Sequence, residues 1–133
     1  MYLEKNRLKS ISTSIDPNPS AATAFIPYDI PLLIKNMKKD KDWKAGEITS
    51  MVLLKSPAKK VVLALFHEGT EMSSFQINDS ATFKVIEGKL NLKIGKESFI
   101  LSKGEVLTLS EKTEYLIDSI NETALLLILD SEK

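Results

Sequence analysis

From Gly46 onward the chain is cut into short runs rich in Val, Ile, Leu, Phe and Thr, broken roughly every eight to twelve residues by turn signals. The runs are Ile48 to Lys55, Lys60 to Phe66, Met72 to Ile77, Ala81 to Glu87, Lys89 to Ile94, Ser98 to Leu101, Val106 to Leu109, Glu114 to Ser119 and Thr123 to Leu129. Between them stand Ser56-Pro57, Glu68-Gly69, Asn78-Asp79, Gly88, Gly95-Lys96, Lys103-Gly104, Glu111-Lys112 and Asn121-Glu122. This rhythm predicts an all-β sandwich or barrel.

The side-chain pattern inside the runs says which faces are buried. Leu90, Leu92 and Ile94 alternate with Lys89, Asn91 and Lys93, as a strand between core and water requires. Val61 to Phe66 and Ala124 to Leu129 are apolar at every position, so both of their faces call for burial. Each large apolar side chain fully buried contributes about 1.5–3 kcal/mol. A second sheet, the amino-terminal segment or a partner subunit is therefore expected over the outer face.

The chain has 133 residues, enough for one domain and its core but short for two of ordinary size. Eighteen basic residues balance eighteen acidic ones. A neutral chain has no field to hold a nucleic-acid backbone or an anionic bilayer, so neither is an expected partner. Nor does net charge oppose self-association, which leaves a homodimer open. Cysteine is absent, which removes disulfides, thiolate ligands and a thiol nucleophile. The amino terminus lacks the apolar run of a signal peptide, and the expected location is the cytoplasm.

Residues 8–22 are rich in Ser, Pro, Asn and Ala without an apolar period, and residues 1–22 are read as an extended or poorly ordered arm before a domain over 23–133. Asp29, followed by Pro31 in the first turn, predicts a short helix of about two turns, with the aspartate as its cap. Lys38 to Asp42 reads as a solvated loop because its charges largely cancel, and Trp43 as a packing anchor.

The stretch from Gly69 to Ser119 resembles the two-part signature of the cupin superfamily. In that family a Gly precedes a His-x-His pair, a Glu and a second Gly; the second part has a Gly, then Pro-x-Gly, a His and an Asn. At those spacings stand Gly69, Phe75, Ile77, Ala81 and Gly88, then Gly104, Ser110, Lys112, Tyr115 and Ser119. The segment Val85-Ile86-Glu87-Gly88-Lys89-Leu90 is similar to a frequent cupin hairpin, and tight turns need residues that accept positive φ. The resemblance implies a single-domain, cupin-like jelly-roll barrel with a short amino-terminal helix.

Metal-binding cupins hold their ion with three His and one Glu, and the resemblance sets Phe75, Ile77, Ala81 and Tyr115 at those positions. Phe, Ile and Ala offer no lone pair and neutral Tyr is a poor ligand, so no metal and no cofactor are expected. A frame one residue longer sets Ser74 and Gln76 at the two His-x-His positions, and these too are poor ligands. His67, the sole histidine, precedes Glu68-Gly69 outside the ligand spacing and reads as a turn residue.

With strand parity kept, Phe75, Ile77, Ala81, Phe83, Val85, Tyr115 and Ile117 face inward, giving an apolar lumen that is either packed shut or open to a small organic ligand. Glu71, Ser73, Ser74, Thr113 and Glu114 are placed at its mouth. The expected function is a metal-free small-ligand-binding or interaction module acting as a homodimer, with catalysis undecided and leaning against. The alternative is a metal-independent isomerase or lyase for a small sugar or organic acid, with Tyr115 and a rim Glu as acid and base. No nucleophilic triad or Gly-rich phosphate loop supports other chemistry.

Overall fold

Asp29 adopts an extended backbone and its carboxylate accepts a hydrogen bond from the Leu32 N–H at 3.1 Å, which starts helix α1, Ile30–Met37. Pro31 lies in the first turn, where a missing N–H costs nothing. Leu33, Ile34 and Met37 form the buried stripe of α1. The charged segment after it is not all loop: Lys41–Lys44 makes a single turn, α2. Asp40 starts that turn, its carboxylate accepting from the Asp42 N–H and its carbonyl from the Lys44 N–H. Trp43 is buried there, as a packing anchor is.

The computed structural model describes residues 26–131, so the arm expected over 1–22 lies outside them. The described residues fall into two compact units that divide between Lys44 and Ala45. The second unit contains all nine described strands: β1 Thr49–Lys55, β2 Lys59–Phe66, β3 Glu71–Phe75, β4 Ser80–Glu87, β5 Lys89–Ile94, β6 Glu97–Ser102, β7 Val106–Leu109, β8 Glu114–Ser119 and β9 Thr123–Asp130. All pairings are antiparallel, in a five-stranded sheet of order β1-β2-β9-β4-β7 and a four-stranded sheet of order β3-β8-β5-β6.

Strands β2 and β9 lie side by side at the centre of the larger sheet, which is why their sequences are apolar throughout. Ala64, Phe66 and Leu125 enter the core between the sheets together with Phe83, Val85, Leu90, Leu92 and Ile117. On the opposite face Leu63 and Leu65 are also buried, while Val61, Leu126 and Ile128 keep part of their surface. The alternation read in Lys89 to Ile94 holds, with Leu90 and Leu92 fully inside.

Gly88 does not close a hairpin. Strands β4 and β5 belong to different sheets, and Gly88 is the corner at which the chain crosses between them. Its φ of 90° lies in the left-handed region that favours glycine, and the carbonyl of Glu122 crowds the place where a Cβ would stand. The corner is then fixed by Thr123, whose buried hydroxyl accepts from the Lys89 N–H at 3.2 Å and lies 3.0 Å from the Lys89 carbonyl. Among the described residues no helix is long and apolar enough to cross a membrane.

Candidate functional site

A pair of rings bridges the two sheets inside the core. Phe83 on β4 and Tyr115 on β8 meet edge to face, with centroids 5.2 Å apart and planes at 78°. Such pairs contribute about 0.5–1.5 kcal/mol beyond the area they bury. Phe83 is fully buried and Tyr115 is 7% exposed. Ala81, Val85 and Ile117 point inward beside them, so five of the seven positions expected to share the inner face do so. Side chains fill the centre of this barrel, one of the two states expected for the lumen.

Phe75 and Ile77 are the exceptions. Strand β3 pairs with β8 so that Met72 stands opposite Ile117 and Ser74 opposite Tyr115. Those partners face inward, and directly opposed residues share a face, so Phe75, opposite Glu114, points outward. Phe75 is 52% exposed, and Ile77, beyond the strand end, is 69% exposed. Glu71, opposite Asp118, also lies on the outer face rather than at the mouth. The one-residue-longer frame, with Ser74 and Gln76 at the His-x-His positions, is the one the strand pairing selects.

A transition-metal site at this place in the fold needs three or four donors converging on one point. The residues present are Ser74, Gln76, Ala81 and Tyr115, and they do not fit that requirement. Gln76 is buried, but its amide is already engaged: the side-chain nitrogen donates to the Asn78 carbonyl at 2.6 Å, and the side-chain oxygen accepts from the Asn78 N–H at 2.9 Å. Among the described residues no three His, Asp or Glu side chains cluster as metal ligands do.

His67 is a turn residue in the structure as well. Its carbonyl accepts from the buried hydroxyl of Ser119 at 2.5 Å, and the same hydroxyl accepts from the Thr70 N–H at 3.0 Å. Ser119, at the last position of the expected signature, ties the approach to β3 onto the end of β8.

Open space lies around the filled centre. A depression of about 690 Å³ is bordered by the outward-facing Ser73, Phe75, Lys93, Glu114 and Leu116 of the smaller sheet, and it also reaches Ser74 and Tyr115. Two more, of about 560 and 600 Å³, meet at Phe99 and Leu107 along the gap between β6 and β7. Sequence reasoning passed over this gap. The available signal was Phe99-Ile100-Leu101, three apolar residues in succession on a strand that puts alternate side chains on opposite faces, so that one apolar side chain faces outward.

The geometry is that of a two-sheet antiparallel jelly-roll barrel with short connections. Solved structures place it more closely: the chain has the cupin fold. A cupin superfamily protein from Desulfitobacterium hafniense superposes with a TM-score of 0.61 at 16% identity, over 65% of this chain and 79% of that one. A cupin 2 conserved barrel domain protein from Leptotrichia buccalis gives 0.61 at 19% identity, over 64% of this chain and 41% of the other. The cupin domain of an XRE family transcriptional regulator from Enterobacter cloacae gives 0.59 at 13% identity, over 65% and 98%. No family model and no curated protein matches the sequence.

Proposed function

We propose that this chain is a non-enzymatic, metal-free cupin-fold interaction module that works as a homodimer. The observation that carries the reading is the Phe83–Tyr115 contact, in which Tyr115, at a position where the resemblance sets a metal ligand, packs against a buried ring in the core. A barrel filled there keeps its stability and offers partners its outside. The apolar character of Val61, Leu126 and Ile128 on the outer face of β2 and β9, with part of each left exposed, supports self-association, and the balanced charge does not oppose it. A cupin domain within a transcriptional regulator is one example of the fold outside a free-standing enzyme.

The test has two arms. Analytical ultracentrifugation at micromolar concentration is expected to give a dimer, and a monomer overturns that part. Native mass spectrometry and elemental analysis of protein purified without added ligand are expected to give the bare polypeptide mass and no stoichiometric metal. A retained organic molecule would shift the reading to small-ligand binding, and Tyr115→Phe would then ask whether its hydroxyl holds that molecule.

A further inference from the structure

The gap between β6 and β7 is formed by the last strands of the two sheets. Among the described residues β6 pairs only with β5, and β7 only with β4. The turn joining them is pinned to β4: the Gly104 N–H donates to the Val85 carbonyl at 2.8 Å, and the Val85 N–H donates to the Glu105 carbonyl at 3.1 Å. From that closed end the two strands border a wedge whose two depressions meet at Phe99 and Leu107. Both of these residues lie on inward-facing register positions, Phe99 opposite Leu92 and Leu107 opposite Phe83.

Three features together describe what this wedge accepts. Among the described residues each bordering strand presents a row of main-chain N–H and C=O groups without a neighbouring strand, apart from the Ser102 N–H, which donates to the Glu105 carboxylate at 2.8 Å. Such a row is the template for adding one more. The floor is apolar at Phe99 and Leu107, and Ile100 and Val106 stand exposed on the flanks. The border carries the carboxylates of Glu97, Glu105 and Glu111 against the single ammonium of Lys96. At about 3.3 Å per residue, the four residues of β7 and six of β6 match an extended segment of roughly four to six residues.

We propose that the β6–β7 wedge is a docking site for an extended peptide with alternating apolar and basic residues, supplied by another protein and bound as an added strand. A second copy of this chain is disfavoured as occupant, because pairing wedge to wedge sets like charges opposite each other. The proposal rests on the reading of the chain as an interaction module and names the partner chemistry of one surface.

The probe is a fluorescein-labelled, amidated hexapeptide alternating Lys and Val, titrated with the full chain in a polarisation assay at low salt. Saturable binding is expected in the micromolar range. Binding is expected to weaken ~10-fold or more when Lys is replaced by Glu in the peptide. A similar loss, again ~10-fold, is expected when alternate peptide nitrogens are methylated so that they no longer donate. The variant Glu97→Lys with Glu111→Lys changes two exposed side chains and should reverse the charge preference. Hydrogen exchange should slow in 97–102 and 106–109 on adding the probe.

No binding up to about 1 mM overturns the proposal. So does binding that leaves β6 and β7 exchanging at their free rate, or binding indifferent to methylation. If the protein remains a metal-free dimer while the probe fails to bind, the wedge alone is refuted. A monomer that carries a lumen ligand would instead remove the underlying reading.

Discussion

Alanine at Gly88 and alanine at Gly95 separate the two demands that a glycine can meet. Both residues have positive φ, 90° and 61°. Forcing an L-residue into that region costs about 1–2 kcal/mol. At Gly95 nothing lies within 4 Å of an added Cβ, so that cost is the whole effect. At Gly88 the new methyl would stand 2.8 Å from both the Cα and the hydroxyl of Thr123, and closer still to the Glu122 carbonyl oxygen. These are mainly backbone atoms at the start of β9, which lies between β2 and β4 and has little room to retreat.

Overpacking of this kind adds ~1–3 kcal/mol. Displacing Thr123 loosens its bonds to the Lys89 main chain, a further ~1–3 kcal/mol. Gly88→Ala should thus cost roughly 3–8 kcal/mol against roughly 1–2 for Gly95→Ala. Urea unfolding followed by far-UV circular dichroism compares them directly. With a slope of about 1–3 kcal/mol per molar urea, the Gly88 variant should unfold at least ~0.7 M earlier than the Gly95 variant. Insolubility of the first beside a soluble second gives the same ordering. Midpoints within about 0.3 M of each other would refute the steric account of the corner.

Phe83→Ala removes one of the lumen rings and should destabilise the barrel by about 3–5 kcal/mol in the same urea assay, while a loss under ~1 kcal/mol would mean that the lumen is not tightly packed. Ser119→Ala removes one partner each from the Thr70 N–H and the His67 carbonyl, which stay bonded to each other at 3.1 Å. The expected loss is therefore only ~0.5–1.5 kcal/mol, with faster hydrogen exchange at Thr70 than in the unsubstituted protein as the local signature. Burial raises the pKa of the Tyr28 hydroxyl above its ordinary 10.0, so the folded state holds that proton more tightly than the unfolded chain. Its contribution to stability is constant below the unfolded value and falls as pH rises from there through the folded value. Absorbance at 295 nm should show a late-ionising phenol component that Tyr28→Phe diminishes.

Much of the strand layout was legible because each run carried its own boundaries. Lys89–Ile94, Val106–Leu109 and Glu114–Ser119 form strands over the residues read from sequence, and Asp29 caps the helix it was expected to cap. What failed depended on pairing. Glu71-Met72-Ser73-Ser74-Phe75 has no alternation to fix its faces, and Phe75 and Ile77 resemble core residues by type alone. Their orientation follows from Ser74 standing opposite Tyr115, a contact across forty residues of chain that local chemistry does not encode. The same holds at Gly88, where positive φ suits a hairpin and a corner equally, and only the sheet joined by the next strand distinguishes them. The gap between β6 and β7 was hidden for the same reason: which strands lack a neighbour is a property of strand order.

The ring pair in the core has a consequence for how such a molecule can change over time. Phe83 and Tyr115 join the larger sheet to the smaller one inside the core. A substitution that shifts one ring is passed to the other sheet through this contact, as a displacement of β4 or β8. Outward positions on either sheet can change without touching it, while the buried ring contact holds the frame constant.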